Sequence, residues 1–250
     1  YYFRQVNGNA IAAFTYHSRM SYIHEKEKSR MKKIILATAI ALSTTSAFAA
    51  GTAVIKVKGT LTNAACTAEL GNGGVIDYGF IRLGELSENS HNQLGQKQIP
   101  VTINCSAPTK IGFTITDNRS DSNAQLPVDI GKNKNITNKY YTYGVGFTND
   151  GKKIGNYGMW MTGTTADGKT VDPIGHNHDW SATSWKYSGI PRSDTFQTIA
   201  FAETGTTTPL AITTANFNFV TNLVIWDTST LAITDDTPLD GQNTMTLVYL

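Results

Sequence analysis

From Ala53 to Leu250 apolar and polar residues alternate in short runs with a period of two, and no helical period is sustained. Ala53, Ile55, Val57, Gly59 and Leu61 fall on one face of an extended segment. Ile99, Val101, Ile103 and Cys105 do the same, as do Ile111, Phe113 and Ile115. Further runs follow at Tyr141–Phe147, Ile154–Met161, Phe196–Phe201, Phe217–Ile225 and Met245–Leu250. Successive side chains of an extended backbone point to opposite faces, so this pattern buries one face of each strand and wets the other. Gly71-Asn72-Gly73-Gly74, Asp117-Asn118, Asn149-Asp150-Gly151, Asp167-Gly168 and Asp240-Gly241 punctuate the runs with turn chemistry. Half-buried strands need a second layer to bury against, and the pattern predicts an all-β, antiparallel β-sandwich. No Pro-rich linker and no internal repeat interrupts residues 50–250, so a single domain is expected there.

Residues 31–49 set the compartment. Lys32 and Lys33 precede an apolar stretch from Ile34 to Leu42, which at about nine residues falls short of the roughly 20 needed to span a membrane. Ala47-Phe48-Ala49 places small residues at the −3 and −1 positions of a signal peptidase site, which predicts cleavage between Ala49 and Ala50 and an exported chain. Residues 1–30 show no period of either kind. The Glu25-Lys26-Glu27-Lys28 codons are purine-rich, like a ribosome-binding site ahead of a start at Met31. Residues 1–30 are therefore expected to be a translated, unstructured upstream leader. A long signal extension is the alternative.

The formal charge of +2 comes from 21 basic and 19 acidic residues. Seven of the basic ones (Arg4, Arg19, Lys26, Lys28, Arg30, Lys32, Lys33) and two of the acidic ones (Glu25, Glu27) precede Ala50. The chain from Ala50 onward carries 14 basic and 17 acidic residues, a formal −3. That balance removes the electrostatic case for nucleic acid as a partner. Both cysteines, Cys66 and Cys105, lie after the cleavage site, and an even pair in an oxidising compartment predicts a disulfide. Without a Cys-x-x-Cys pair they do not read as metal ligands.

Lys58-Gly59-Thr60-Leu61-Thr62-Asn63-Ala64-Ala65-Cys66 resembles the opening of a chaperone–usher pilin, with Cys105 closing the loop after the next core strand. Met245, Leu247 and Tyr249 alternate on one face, with tyrosine penultimate, as in the pilin terminus that a periplasmic chaperone recognises. Three further segments are similar to the GltF-like branch of fimbrial-type secreted proteins: Gly73-Gly74-Val75-Ile76-Asp77-Tyr78-Gly79, Asn92-Gln93-Leu94-Gly95, and Ala107-Pro108-Thr109-Lys110 through Asp117-Asn118-Arg119. The resemblance is strongest over residues 53–120 and at the C-terminus.

The resemblance implies an immunoglobulin-like sandwich lacking its final strand, whose groove is filled first by a periplasmic pilus chaperone and then by the arm of another fimbrial subunit at an outer-membrane usher. It implies Ala53, Ile55, Val57 and Gly59 as the donor strand, Met245, Leu247 and Tyr249 as the chaperone-pairing residues, and a final location at the cell surface or in a fimbrium. The alternatives are that residues 53–61 are the first strand of a complete sandwich, or that the arm folds back to give a self-contained periplasmic, glycan-binding monomer. Only 16 residues separate the cleavage site from Cys66, and Thr237 stands where pilins carry a glycine, with Gly241 nearer the end. Both departures fit a terminal or non-polymerising subunit.

Two other constellations bear on chemistry. His176-Asn177-His178-Asp179 could set two imidazoles on one strand face as metal ligands, but a polar solvated loop is the expectation. Trp160, Trp180, Trp185, Tyr187 and Tyr140-Tyr141 could stack a host glycan, although core packing accounts for most aromatics of this kind. There is no Gly-x-Ser-x-Gly, no His-Glu-x-x-His and no phosphate-cradling glycine turn. Asp235 and Asp236 face opposite ways if extended. Neither enzyme activity nor a cofactor is expected.

Overall fold

The computed structural model describes Val57, Gly59 and residues 65–250 apart from Ala182. The chain divides into two units, Tyr1–Lys58 and Gly59–Leu250. All the described secondary structure lies in the second.

One strand organises it. The two apolar runs Ile99–Cys105 and Ile111–Ile115 are halves of a single 26-residue strand, β2 (Asn92–Asp117), preceded by the short β1 (Cys66–Leu70). The first half of β2 pairs antiparallel with β1, from Cys66 opposite Cys105 to Leu70 opposite Val101. Its other edge pairs with β10 (Ala211–Ile225). The second half pairs with β11 (Asn243–Tyr249) and, at Gly112 and Phe113, with β9 (Gln197–Glu203). Gly112 is required at that crossing, because a Cβ there would stand 2.5 Å from the Ile199 carbonyl oxygen. The strand thus leaves one sheet and enters the other around residues 107–110.

The remaining strands complete two layers. β3 (Val128–Ile130) and β4 (Asn133–Ile136) form a separate small hairpin. β5 (Thr142–Gly144) and β6 (Gly155–Ala166) extend the first sheet, giving the order β5–β6–β10–β2–β1. β7 (Lys169–Asn177) and β8 (Lys186–Tyr187) extend the second, giving β11–β2–β9–β7–β8. β6 turns into β7 through Asp167-Gly168, both at positive φ (47° and 77°), the two-residue turn whose twist matches the strands it joins. Between the layers Phe113 stacks on Phe217 at 5.6 Å and meets Phe219 edge-on at 5.8 Å. Ile103, Ile199 and Phe201 join them at 1% exposure or less.

Among the described residues the structure is mostly strand, with a single four-residue α-helix, α1 (Thr228–Leu231), and a sandwich of antiparallel sheets, as the periodicity predicts. Cys66 and Cys105 form a disulfide across the register pair that ties β1 to β2. One expectation needs correction. His176 and Asn177, expected in a polar loop with His178 and Asp179, instead end β7, which runs in register with β9 from Asp172 opposite Ala202 to Asn177 opposite Gln197, while His178 and Asp179 lie in the turn beyond it. Pro173 and Gly175 mask the strand in the sequence, since both are poor strand formers. Pro173 sits opposite Phe201, and its carbonyl accepts from the Ser188 N–H.

Candidate functional site

The sandwich closes unevenly. β1 covers only five residues of its 26-residue partner, so from Asn92 to Pro100 β2 is laddered on one side alone, to β10. The chain from Val75 to Leu83 follows that open stretch as coil, without pairing to it. Its hold is through side chains. Ile76 packs on the main core and Tyr78 on a neighbouring cluster, and the Tyr78 hydroxyl lies 3.0 Å from Thr221 Oγ1 and donates at 3.4 Å to the Gly95 carbonyl. Burial pushes the Tyr78 phenol above its ordinary value, partly offset by the Thr221 bond. Gly79, at φ +68°, gives its N–H to Asp77 Oδ1, and this kink turns the next side chain, Phe80, fully into solvent.

Opposite this strap stands β11. It pairs with β2 alone among the described residues, leaving its second edge unladdered. Between strap and β11 runs an elongated cleft of about 1090 Å³. Ala68, Leu70 and Ile76 line one wall, and Met245, Thr244 and Leu239 the other. Its floor is made of core side chains, among them Ile99, Ile115 and Phe219, each 3% exposed or less. Beside the disulfide, Tyr249 Oη accepts the Cys66 N–H at 2.9 Å and so links the end of β11 to the start of β1. Asp77, Asp235 and Asp236 give the rim a negative character.

The sequence-predicted residues divide three ways. Met245 and Leu247 pack their side chains into the main core from β11, and Tyr249 is half exposed at the end of that strand. Ala53 and Ile55 of the expected donor strand, and the expected cleavage pair Ala49 and Ala50, lie outside the described residues. Val57 is 94% exposed, and nothing stands within 4 Å of where a Gly59 Cβ would be. His176 and His178 are committed to hydrogen bonds: His176 Nδ1 donates to the Ser184 carbonyl at 3.1 Å, and His178 Nε2 lies 3.2 Å from Thr198 Oγ1.

The aromatic residues considered as a stacking platform do not assemble as one surface. Trp160 and Tyr141 pack beside Ile130 and Val224, and Tyr140 stacks on the Arg192 guanidinium at 4.4 Å. Trp180 and Trp185 lie in the stretch between β7 and β8, and Tyr187 lies in β8. The strap escaped sequence reading, although the alternation of Ile76 and Tyr78 with Asp77 is a signal that it follows a strand edge.

A family model described as "Protein of unknown function (DUF1120)" matches residues 55–158, a span that includes both cysteines, the strap and all of β2. Protein GltF of Escherichia coli (strain K12) is 30% identical over 230 residues, covering 78% of this chain and 87% of that protein. The chain belongs to this family. Uncharacterized protein YhcF of the same strain is 29% identical over 227 residues, covering 82% of this chain and 93% of the relative. These alignments span most of both chains, so the match is to whole proteins rather than to a shared module.

Proposed function

We propose that this DUF1120 chain is an exported fimbrial-type subunit: an immunoglobulin-like sandwich short of one strand, whose cleft receives a strand from a periplasmic chaperone and then from another subunit. The observation that carries this reading is the free edge of β11. Asn243–Tyr249 holds no charged residue and no proline, pairs on one side alone among the described residues, and borders a cleft floored by core side chains. An edge strand without such protection recruits another chain, and proteins that keep one exposed have a partner for it.

The chain's own arm has matching chemistry. Ala53, Ile55 and Val57 alternate with Lys56 and Lys58, so in an extended conformation apolar side chains point one way and ammonium groups the other. Asp77, Asp235 and Asp236 on the rim complement those lysines. Main-chain bonds along β11 supply affinity and the alternate apolar residues supply register. Met245 and Leu247 hold β11 on the core, and Tyr249 ties the end of that strand to Cys66.

The test uses the chain from Ala50 and a fluorescent peptide of residues 51–60. Saturable binding that weakens as salt rises supports the proposal. No binding to the purified chain, together with recovery of the chain from periplasm as a lone monomer, refutes it. The second reading is a self-contained binding protein whose arm occupies its own cleft, favoured by the short stretch between Ala50 and Cys66. It predicts that deleting residues 50–60 creates peptide binding that the intact chain lacks.

A further inference from the structure

Phe80 is the residue the fold leaves unexplained. Leu70, Val75, Phe80 and Leu83 are all exposed, and all four line the cleft, so its strap side ends in an apolar lip. Phe80 stands out furthest. Its ring is fully exposed and joins none of the four buried clusters. The facing rim carries Asp235 and Asp236 instead.

The backbone that carries Phe80 has little to hold it. On one side Tyr78 is fixed through its hydroxyl, against Thr221 Oγ1 and the Gly95 carbonyl. On the other, the Glu85 and Leu86 N–H groups donate to the Arg82 and Leu83 carbonyls and close a tight turn. Between these anchors, among the described residues, 79–81 make no bond to another main-chain group, and only the Gly79 N–H is held, by Asp77 Oδ1 at 2.7 Å. Gly79 sits at φ +68°, and a Cβ there would meet nothing within 4 Å, so the glycine serves the kink and not a close approach. A segment with so few bonds swings at little cost.

The arm has a matching irregularity. Ala53, Ile55 and Val57 take its apolar positions, yet Val54 between them is apolar too. In a strand seated with Ala53, Ile55 and Val57 toward the cleft floor, Val54 stands on the solvent side, in line with Lys56 and Lys58. A bare valine on the added strand and a bare phenylalanine at the mouth complement one another.

We infer that the strap is a clasp for this arm. When residues 51–60 of a second copy of the chain are added to β11, residues 79–81 turn at Gly79 and lay Phe80 over Val54, covering the strand from the solvent side. The inference rests on the strand-addition reading, and it names the arm, rather than any alternating strand, as the occupant the cleft holds longest. Closure follows seating, so the clasp acts on release and not on capture.

The experiment is a double-mutant cycle on the purified chain and the fluorescent peptide of residues 51–60, with affinity and release rate measured together. Phe80→Ala is expected to keep the parent melting temperature, since the ring supports no core, and to weaken the peptide about tenfold through faster release. In the peptide, Val54→Ala is expected to cost about fivefold on the parent and less than about twofold on Phe80→Ala. Val57→Ala, which faces the floor, is expected to cost the same on both. If the peptide binds but Phe80→Ala holds it like the parent, or Val54→Ala costs the same on both chains, the clasp is overturned and strand addition stands. If the peptide binds neither chain, strand addition itself fails and the clasp falls with it.

Discussion

Removing the Cys66–Cys105 disulfide tests how the wall of the cleft is held. The bond closes a loop between residues 39 apart in sequence, and the loop-entropy relation assigns it about 4 kcal/mol of constraint on the unfolded chain. Little in the folded state substitutes for it. β1 is mostly exposed, with Cys66 and Ala68 as its contacts to the core, and its entry is held by Cys66 N–H to Tyr249 Oη and Ala65 N–H to Ser106 Oγ at 3.1 Å. The double replacement Cys66→Ala/Cys105→Ala avoids both a free thiol and a half-buried hydroxyl. For a domain of this size, about 4 kcal/mol corresponds to a fall of roughly 8–16 °C in melting temperature. Urea denaturation of the two forms gives the difference directly, and the variant should also show a steeper slope, because its unfolded chain exposes more surface. Hydrogen exchange should place the loss first at residues 66–70, ahead of global unfolding. A difference under about 1 kcal/mol with unchanged slope would refute the argument from chain entropy.

Other substitutions probe the edges and turns. Tyr249→Phe removes the acceptor for the Cys66 N–H, but water replaces it at a half-exposed site, so stability should fall by less than about 1 kcal/mol. Tyr249→Ala also removes the ring and should lower recovery from periplasm in the presence of a chaperone, whereas equal yields for both variants would sink the role of the ring. Gly144→Ala drives a Cβ into the Arg119 carbonyl oxygen, which is backbone and cannot swing aside, and denaturation should show a loss of at least about 2 kcal/mol. Asp167 accepts from the Thr213 hydroxyl and from the Thr213 and Thr214 N–H groups, and the Thr213 hydroxyl bond chiefly holds its carboxyl below the ordinary 3.8. A depressed carboxyl stabilises the fold above the unfolded value and loses that contribution as pH falls through the folded one. The stability gap between the parent and Asp167→Asn should therefore be constant near neutrality and shrink below 3.8; a gap independent of pH would contradict it.

The sequence carried the strands of the main core because period-two alternation is the direct signature of a sheet with one dry face. Ile99, Val101, Ile103, Ile111, Phe113 and Ile115 all bury as that period requires. It could not show that the two runs are one strand: Ala107-Pro108-Thr109 between them reads as a break, and passage from one sheet to the other depends on partners far along the chain. β7 was hidden for the reason given by Pro173 and Gly175. The strap was hidden because its residues make no ladder, so only side-chain contacts to Thr221 and Gly95, distant in sequence, fix its path.

The same distinction bears on the cleft. Sequence shows an alternating apolar C-terminal run, but an apolar strand is unremarkable when paired on both sides. What changes its meaning is that among the described residues β11 has a partner on one side only, while the facing wall is a strap with no main-chain ladder to offer. Natural edges are guarded by lysine, proline, bulges or brevity. β11 has seven residues in unbroken register from Asn243 to Tyr249 and none of those guards. A chain that kept such an edge bare would aggregate at modest concentration. On the proposed reading, the acidic rim at Asp235 and Asp236 would favour a strand bearing lysines over an acidic one. Placing a lysine inward on this strand, as in Leu247→Lys, should reduce both self-association and binding of the arm peptide. Loss of one without the other would separate general stickiness from specific strand addition.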